Sequence, residues 1–293
     1  MKVTGLGGGH GLAATLRAAR LYADDVSAVV TVADDGGSSG RLTRELRIPP
    51  PGDIRNCLVA LAEDSELADL YQHRFSSGAL TGHTVGNLLI AALAEMTGDF
   101  AAAVAQAGVL LGSRGRVYPA TTEVVALRAQ VDGGVVRGQV AVAQTTAAIQ
   151  AVYLKPPRPE AHAGAVAAIC EADQVVLGPG SLFTSLIATV LVPGIRKALQ
   201  DTGAQRVFVC NSRMQKGETF GLSAGAHVDA LFAHAGAHAF DIVLLQSPST
   251  AVDGVAIDRQ ALEFSGVRLV EADMMAPDGS HDPRLLADAL SSL

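Results

Sequence analysis

The chain has 293 residues, 49% hydrophobic and 17% charged, with aromatics at 4% and no tryptophan. That length buries a sizeable core without staples, and three scattered cysteines (Cys57, Cys170 and Cys210, with no C-x-x-C pair) point to a reduced, cytoplasmic protein. A net charge of −7 argues against generic nucleic-acid binding; the first residues lack the apolar stretch of a signal peptide, and no apolar run approaches the roughly 18 residues of a membrane span.

In chain order, residues 2–6 read as a short strand running into glycines. Residues 11–22 read as a helix with Leu12, Leu16 and Ala19 on one face, and 27–32 as a second strand rich in β-branched residues. This strand–glycine–helix–strand unit has the size of a βαβ crossover. Residues 33–40 form a loop by composition. After the break at Pro49-Pro50-Pro51-Gly52, helical patterns cover 53–74 (as one helix or two), then 84–96 and 100–111. From Thr121 the texture changes. Strand patterns over 122–131 and 135–143 flank the turn signal Asp132-Gly133-Gly134, and 148–154 adds a third, which predicts an antiparallel β insertion over 121–155. The α/β rhythm then returns: a helix over 162–171, a strand over 174–177, the junction Gly178-Pro179-Gly180-Ser181, a helix from Leu182, and strands over 207–210, 242–245 and 267–271. The expected fold is a single α/β domain over 1–293: Rossmann-like, a mostly parallel sheet flanked by helices, with a small antiparallel β insertion.

The first glycine cluster, Gly7-Gly8-Gly9-His10-Gly11, joins a strand to a helix. Such a junction bares backbone N–H groups at the positive end of the helix dipole, which attract a phosphate. Glycine lets the anion approach the backbone closely. The dinucleotide pattern G-x-G-x-x-G is matched imperfectly: five places after Gly5 stands His10, after Gly7 Leu12, and after Gly9 the tolerated Ala14. No Gly-Lys-Ser/Thr ending of a P-loop follows. Gly8, Gly9, Gly11 and, more weakly, His10 are candidate phosphate contacts; a tight turn with no ligand is the competing reading.

Asp34 and Asp35 follow the second strand, where a nucleotide-binding unit places an acid against ribose hydroxyls. Neighbours on extended chain point to opposite sides, so one should face the site while the other braces a turn or caps a helix. Mg²⁺ ligation is the competing role, with Asp34, Asp35 and Asp53 as candidates. Gly37, Ser38 and Ser39 offer amides and hydroxyls, and Arg41, Arg44 and Arg47 follow at three-residue spacing, Arg41 being best placed to grip a phosphate. Asp53 precedes a helix and reads first as its cap. Arg55 and Asn56 in the first turn, and His83 and Asn87 four apart at the head of an apolar helix, need polar partners if buried, either a ligand or the protein itself. Gly178, Gly180 and Ser181 form a second strand–glycine–helix junction, which one ligand site would share with the first if both lie on the same rim of the sheet. No nucleophile–base pair or zinc spacing stands out, so a binding site is more legible than a reaction.

Taken together, Gly-Gly-Gly-His-Gly-Leu (7–12), Thr-Val-Ala-Asp-Asp-Gly-Gly-Ser-Ser-Gly-Arg-Leu (31–42), Pro-Gly-Asp-Ile-Arg-Asn-Cys-Leu (51–58), Gly-His-x-x-Gly-Asn-Leu (82–88) and Gly-Pro-Gly-Ser-Leu-Phe-Thr-Ser (178–185) resemble the bacterial gluconeogenesis factor (YvcK-like) family. Asn211 to Gly221, with Gln215 and Gly217-Glu218-Thr219, resembles its later motif. The family is similar in fold to 2-phospho-L-lactate transferase. The resemblance implies a Rossmann-like cytoplasmic factor that binds a nucleotide sugar such as UDP-N-acetylglucosamine and supports growth on gluconeogenic carbon and normal cell shape, by regulation more than by catalysis. A Mg²⁺-dependent transferase of a phospho-compound is the alternative. Asn211 joins the ligand-binding candidates on this ground. No cofactor is required beyond that Mg²⁺, and the resemblance leaves room for a protein partner in cell-wall or central metabolism and for a homo-oligomer. Leu222 departs from the family, standing where a tyrosine often follows the Gly-Glu-Thr motif.

Overall fold

The computed structural model describes residues 1–248 and 253–293. Among the described residues ten strands are formed: β1 (Lys2–Gly7), β2 (Asp25–Val30), β3 (Arg116–Pro119), β4 (Ala126–Val131), β5 (Gly134–Arg137), β6 (Ile149–Lys155), β7 (Gln174–Leu177), β8 (Gln205–Val209), β9 (Ile242–Gln246) and β10 (Arg268–Ala272). Seven make one parallel sheet in the order β10-β9-β8-β7-β1-β2-β3. The other three make an antiparallel sheet in the order β5-β4-β6. The fold is a Rossmann-like α/β fold with a small antiparallel sheet.

The central strands are mainly apolar and, beyond the first residue of β1 and β2, buried, as a parallel sheet covered on both faces requires. Alternation on β1 shows the two layers. Thr4 faces the helix Ala163–Cys170 and donates its hydroxyl to the Ala168 carbonyl at 2.8 Å. Gly5, on the opposite face, looks onto Leu12 and Leu16 of the helix Gly9–Ala19. That helix packs on Gly52–Leu61 and Pro283–Ser291; Ala163–Cys170 packs on Pro193–Asp201. The strand order runs outward as β1-β2-β3 on one side and β7-β8-β9-β10 on the other, so it reverses between β1 and β7. In an open α/β sheet that reversal leaves a crevice beyond the carboxyl ends of the two strands.

Three expectations are corrected. Residues 33–40 are not all loop: the helix Gly37–Leu46 begins inside them. The glycine- and serine-rich composition that reads as loop here serves close packing, since a Cβ on Gly40 would overlap the Asp35 carbonyl. The strand expected over 135–143 ends at Arg137, and Gly138 (φ 95°) turns the chain into the helix Gln139–Gln144. Strand β3 was not anticipated; four residues, one of them proline, carry too short a pattern to read.

Candidate functional site

Two glycine turns meet at the switch point. After β1, Gly8 is extended and Gly9 (φ 63°) starts the helix Gly9–Ala19, whose N-terminus carries no side-chain cap. Of its first amides, that of Gly9 turns to Asp53, and those of His10 and Gly11 are left for whatever occupies the cleft. After β7, Gly178-Pro179-Gly180-Ser181 leads into a π-helical segment, Leu182–Ile187. The turns touch: a Cβ on Gly11 would overlap the Pro179 carbonyl, and the Thr15 hydroxyl donates to the Gly178 carbonyl at 2.7 Å. Asn211, just past β8, holds Gly180 from the other side. Its Oδ1 accepts the Gly180 N–H at 3.0 Å and its Nδ2 donates to the Gly180 carbonyl at 2.8 Å.

Between the turns lies a polar cavity of about 330 Å³, lined by Gly8, Gly9, His10, Gly11, Gly180 and Ser181, together with Thr31, Asp34, Asp53, Gln139, Thr184, Ser185 and Gln215. The Thr31 hydroxyl is buried there without a hydrogen-bond partner among the described residues. Gln215 reaches across, donating from Nε2 to the Ser181 hydroxyl at 3.0 Å.

Two carboxylates form the acidic side of this cavity. Asp34 accepts the Gly36 amide at 2.9 Å; burial raises its pKa, with Gly36 and Ser39 opposing. Asp53 lies beneath Gly8, so close that a Cβ there would stand 2.5 Å from its Oδ2. Burial first, then the charge of Asp34, pushes Asp53 up from 3.8 to about 7, while the Gly9 amide and Arg55 hold it down. Asp53 is not the cap of its helix as expected; Pro51 occupies the cap and Asp53 turns inward from the first turn. Asp35 points elsewhere, accepting the Val140 amide at 3.0 Å and bracing the helix Gln139–Gln144.

A second group of candidates lines neither this cavity nor the larger one described below. Ser38, Arg55, Asn56, His83 and Asn87 partner one another. The Ser38 hydroxyl lies 2.9 Å from His83 Nδ1 and accepts from Asn87 Nδ2 at 3.0 Å. Arg55 donates to Thr84 Oγ1 at 2.6 Å, Asn87 Oδ1 at 2.9 Å and Asn56 Oδ1 at 2.7 Å. Burial lowers the Arg55 pKa to about 10, Arg74 adding to this and Asp53 opposing it. The guanidinium thus supports the acid pair from behind. Ser39 likewise works inside the protein, its hydroxyl accepting the Gly52 amide at 3.1 Å. Arg41 donates to the Thr81 carbonyl at 2.7 Å, and neither it nor Gly37 lines the cavity. Helical rotation carries Arg41 away from the glycine turns.

Sequence reading missed Thr31, Gln139, Thr184, Ser185 and Gln215. Thr184 and Ser185 had a signal: they open the helical segment after a glycine junction that was itself noticed. Gln139 had none, because it arrives from the antiparallel segment. A larger cavity of about 780 Å³ was missed altogether. Its lining is mainly apolar and includes Ile149, Phe183, Phe220, Leu222, Ala226 and His234, with Lys216 and Asp229 as polar members. The two cavities meet at Phe183-Thr184 and Gln215-Lys216, where alternate residues face one or the other. Beneath this wall, buried Glu218 accepts the Thr184 amide at 3.0 Å and its hydroxyl at 3.3 Å. Burial raises the Glu218 pKa against those bonds.

Fold and site define a Rossmann-like α/β protein with a polar cleft at the switch point and an apolar chamber beside it. The family model described as 2-phospho-L-lactate transferase CofD matches residues 3–275. A crystal structure of a UPF0052-family protein from Bacillus halodurans superposes with a TM-score of 0.95 at 37% identity, covering 99% of this chain and 98% of that one. The gluconeogenesis factor of Bacillus subtilis is 45% identical over 249 residues, 84% of this chain and 78% of that protein. That of Halalkalibacterium halodurans is 43% identical over 242 residues, 82% of this chain and 75% of that protein. The chain belongs to the CofD/UPF0052 family, among relatives named gluconeogenesis factor.

Proposed function

We propose that this protein is a regulatory factor that binds a nucleoside diphosphate sugar, of the UDP-N-acetylglucosamine kind, with the diphosphate in the polar cleft. One observation carries the reading: the polar cleft and the apolar chamber lie side by side, divided only by the neighbouring residues Phe183-Thr184 and Gln215-Lys216. A ligand with a diphosphate in the middle and a flat ring at one end matches that sequence of surfaces. The uncapped amides of the Gly9–Ala19 helix and the unpartnered Thr31 hydroxyl supply donors for the phosphates. Occupancy of the site would be the signal that ties the protein to growth on gluconeogenic carbon and to cell shape. Calorimetry with UDP-N-acetylglucosamine, GDP and NAD tests the ligand class. The expected result is saturable binding of the UDP-sugar, and a stability gain of about 2.7 kcal/mol at a hundredfold excess over Kd. Folded protein that takes up no nucleotide sugar at millimolar concentration contradicts the reading.

A second reading, transfer of a phospho-compound, is favoured by the Asp34–Asp53 pair. Among the described residues no cluster of three or more His, Cys, Asp or Glu side chains surrounds a metal position. Two carboxylates do fit Mg²⁺, which completes its shell with water and ligand phosphates. The cation would offset charge building on a departing phosphate. The raised pKa of Asp53 fits such a group, since the acid pair carries an unrelieved repulsion that a cation would relieve. Product formation from a phospho-donor that requires Mg²⁺ and disappears in Asp34→Asn would establish this reading over the first.

A further inference from the structure

We propose that Phe220 is the specificity-determining residue of the apolar chamber, stacking on the flat ring of a nucleotide whose diphosphate lies in the polar cleft. This rests on the diphosphate-binding reading given above.

Phe220 is 74% exposed, yet it lies on the rim of a chamber whose other aromatic walls are fixed. Phe183 is buried and meets the His234 ring edge-on at 6.2 Å between centroids. His234 is held at both nitrogens. Nδ1 lies 2.7 Å from the Ala230 carbonyl and Nε2 accepts the Val152 amide at 3.0 Å, which puts the ring proton on Nδ1. Neither ring can swing out to meet a ligand.

The turn that carries Phe220 is pinned on both sides of it. Glu218 is tied to Thr184, the Thr219 hydroxyl accepts the Gln215 amide at 2.9 Å, and Gly217 is pressed against the Ala143 carbonyl. Gly221 (φ 80°) then turns the chain away, its N–H directed at the Met214 sulfur at 3.3 Å. Glu218 and Thr219 are buried and bonded, so the turn presents Phe220 and Lys216 to the opening, and Phe220 is its one large apolar side chain left exposed among the described residues. A large apolar ring held at the mouth of an apolar chamber has most of its own surface left to bury. A flat, π-bearing group seated in the chamber would supply that contact, with the polar cleft adjacent across Phe183-Thr184 and Gln215-Lys216. Lys216 and Asp229, at the same chamber, offer a donor and an acceptor to the edge of a heteroaromatic ring.

The chain contains no tryptophan, so Phe220→Trp places the sole indole at this position. Titrations of the wild type, Phe220→Ala, Phe220→Tyr and Phe220→Trp use two probes, UDP-N-acetylglucosamine and inorganic pyrophosphate. Phe220→Ala should weaken the nucleotide sugar roughly tenfold, with pyrophosphate affinity unchanged and Phe220→Tyr restoring the loss. The Phe220→Trp emission should shift with the nucleotide sugar and not with pyrophosphate. Unchanged nucleotide-sugar affinity in Phe220→Ala, equal loss of both probes, or a silent indole during saturable binding each overturns the role of Phe220 and leaves the diphosphate reading standing. Failure of both probes to bind the wild type overturns the diphosphate reading, and this assignment with it.

Discussion

Asp53 is the residue at which burial and charge work hardest against each other. Its pKa stands at about 7 in the folded protein against an ordinary 3.8. Between those values the folded state keeps a proton that the unfolded chain has released, so stability falls as pH rises from about 4 through 7. The upper bound on that loss is about 4 kcal/mol. Asp53→Asn should remove it: denaturant melts should show the variant gaining on the wild type at pH 8 and matching it near pH 4. A constant difference across that range would mean the carboxyl is not the source. Asn211 gives a second residue-level prediction. Losing both of its bonds to Gly180 in Asn211→Ala should cost about 1–3 kcal/mol in thermal denaturation, and weaken pyrophosphate binding without touching any phosphate donor. Much of this was readable in advance, since Gly8–Gly11, Asp34, Asp53 and Gly178–Ser181 were all singled out by composition and spacing. What could not be read was which polar residues satisfy one another. Arg55, His83 and Asn87 carry the same chemistry whether they meet a ligand or each other, and only the packing of three helices decides for the latter.

Among the elements, the helix Gly9–Ala19 couples the site to the sheet. Its first turn presents amides to the cleft, and its third residue, Gly11, is where the second glycine turn leans against it. Gly11→Ala should therefore force the turns apart. Backbone lies on the far side of the added methyl, so the clash has no rotamer to escape into, and a loss of 1–3 kcal/mol in chemical denaturation is expected. Ligand binding should suffer beyond that, because the cleft widens. Gly203→Ala is the matched control, a glycine whose added methyl meets nothing within 4 Å. Apolar elements with a marked boundary were legible: Phe100–Leu111 and the four-residue β7 match their expected ranges residue for residue, bounded respectively by Asp99 and the Gly178 turn. Glycine-rich ones were not, since Gly37–Leu46 has poor intrinsic helix propensity in its first turn and is held by contacts made elsewhere in the chain.

For the whole molecule, the strand reversal between β1 and β7 explains why motifs at opposite ends of the sequence make one cleft. The same arrangement sets when the cleft can exist. Thr15 and Gly178 are 163 positions apart, and every contact between the two glycine turns waits on β7 finding its place beside β1. Closing so long a loop comes late in folding, after local pieces such as the helix pair Val85–Thr97 and Phe100–Leu111. Ligand uptake should consequently trail the recovery of helical circular dichroism on refolding, and a nascent chain still short of Gly178 should have no affinity for the ligand at all. Under the proposed reading, a protein built this way would answer to its small molecule only after the chain has passed Gly178, and an incomplete copy would never engage it.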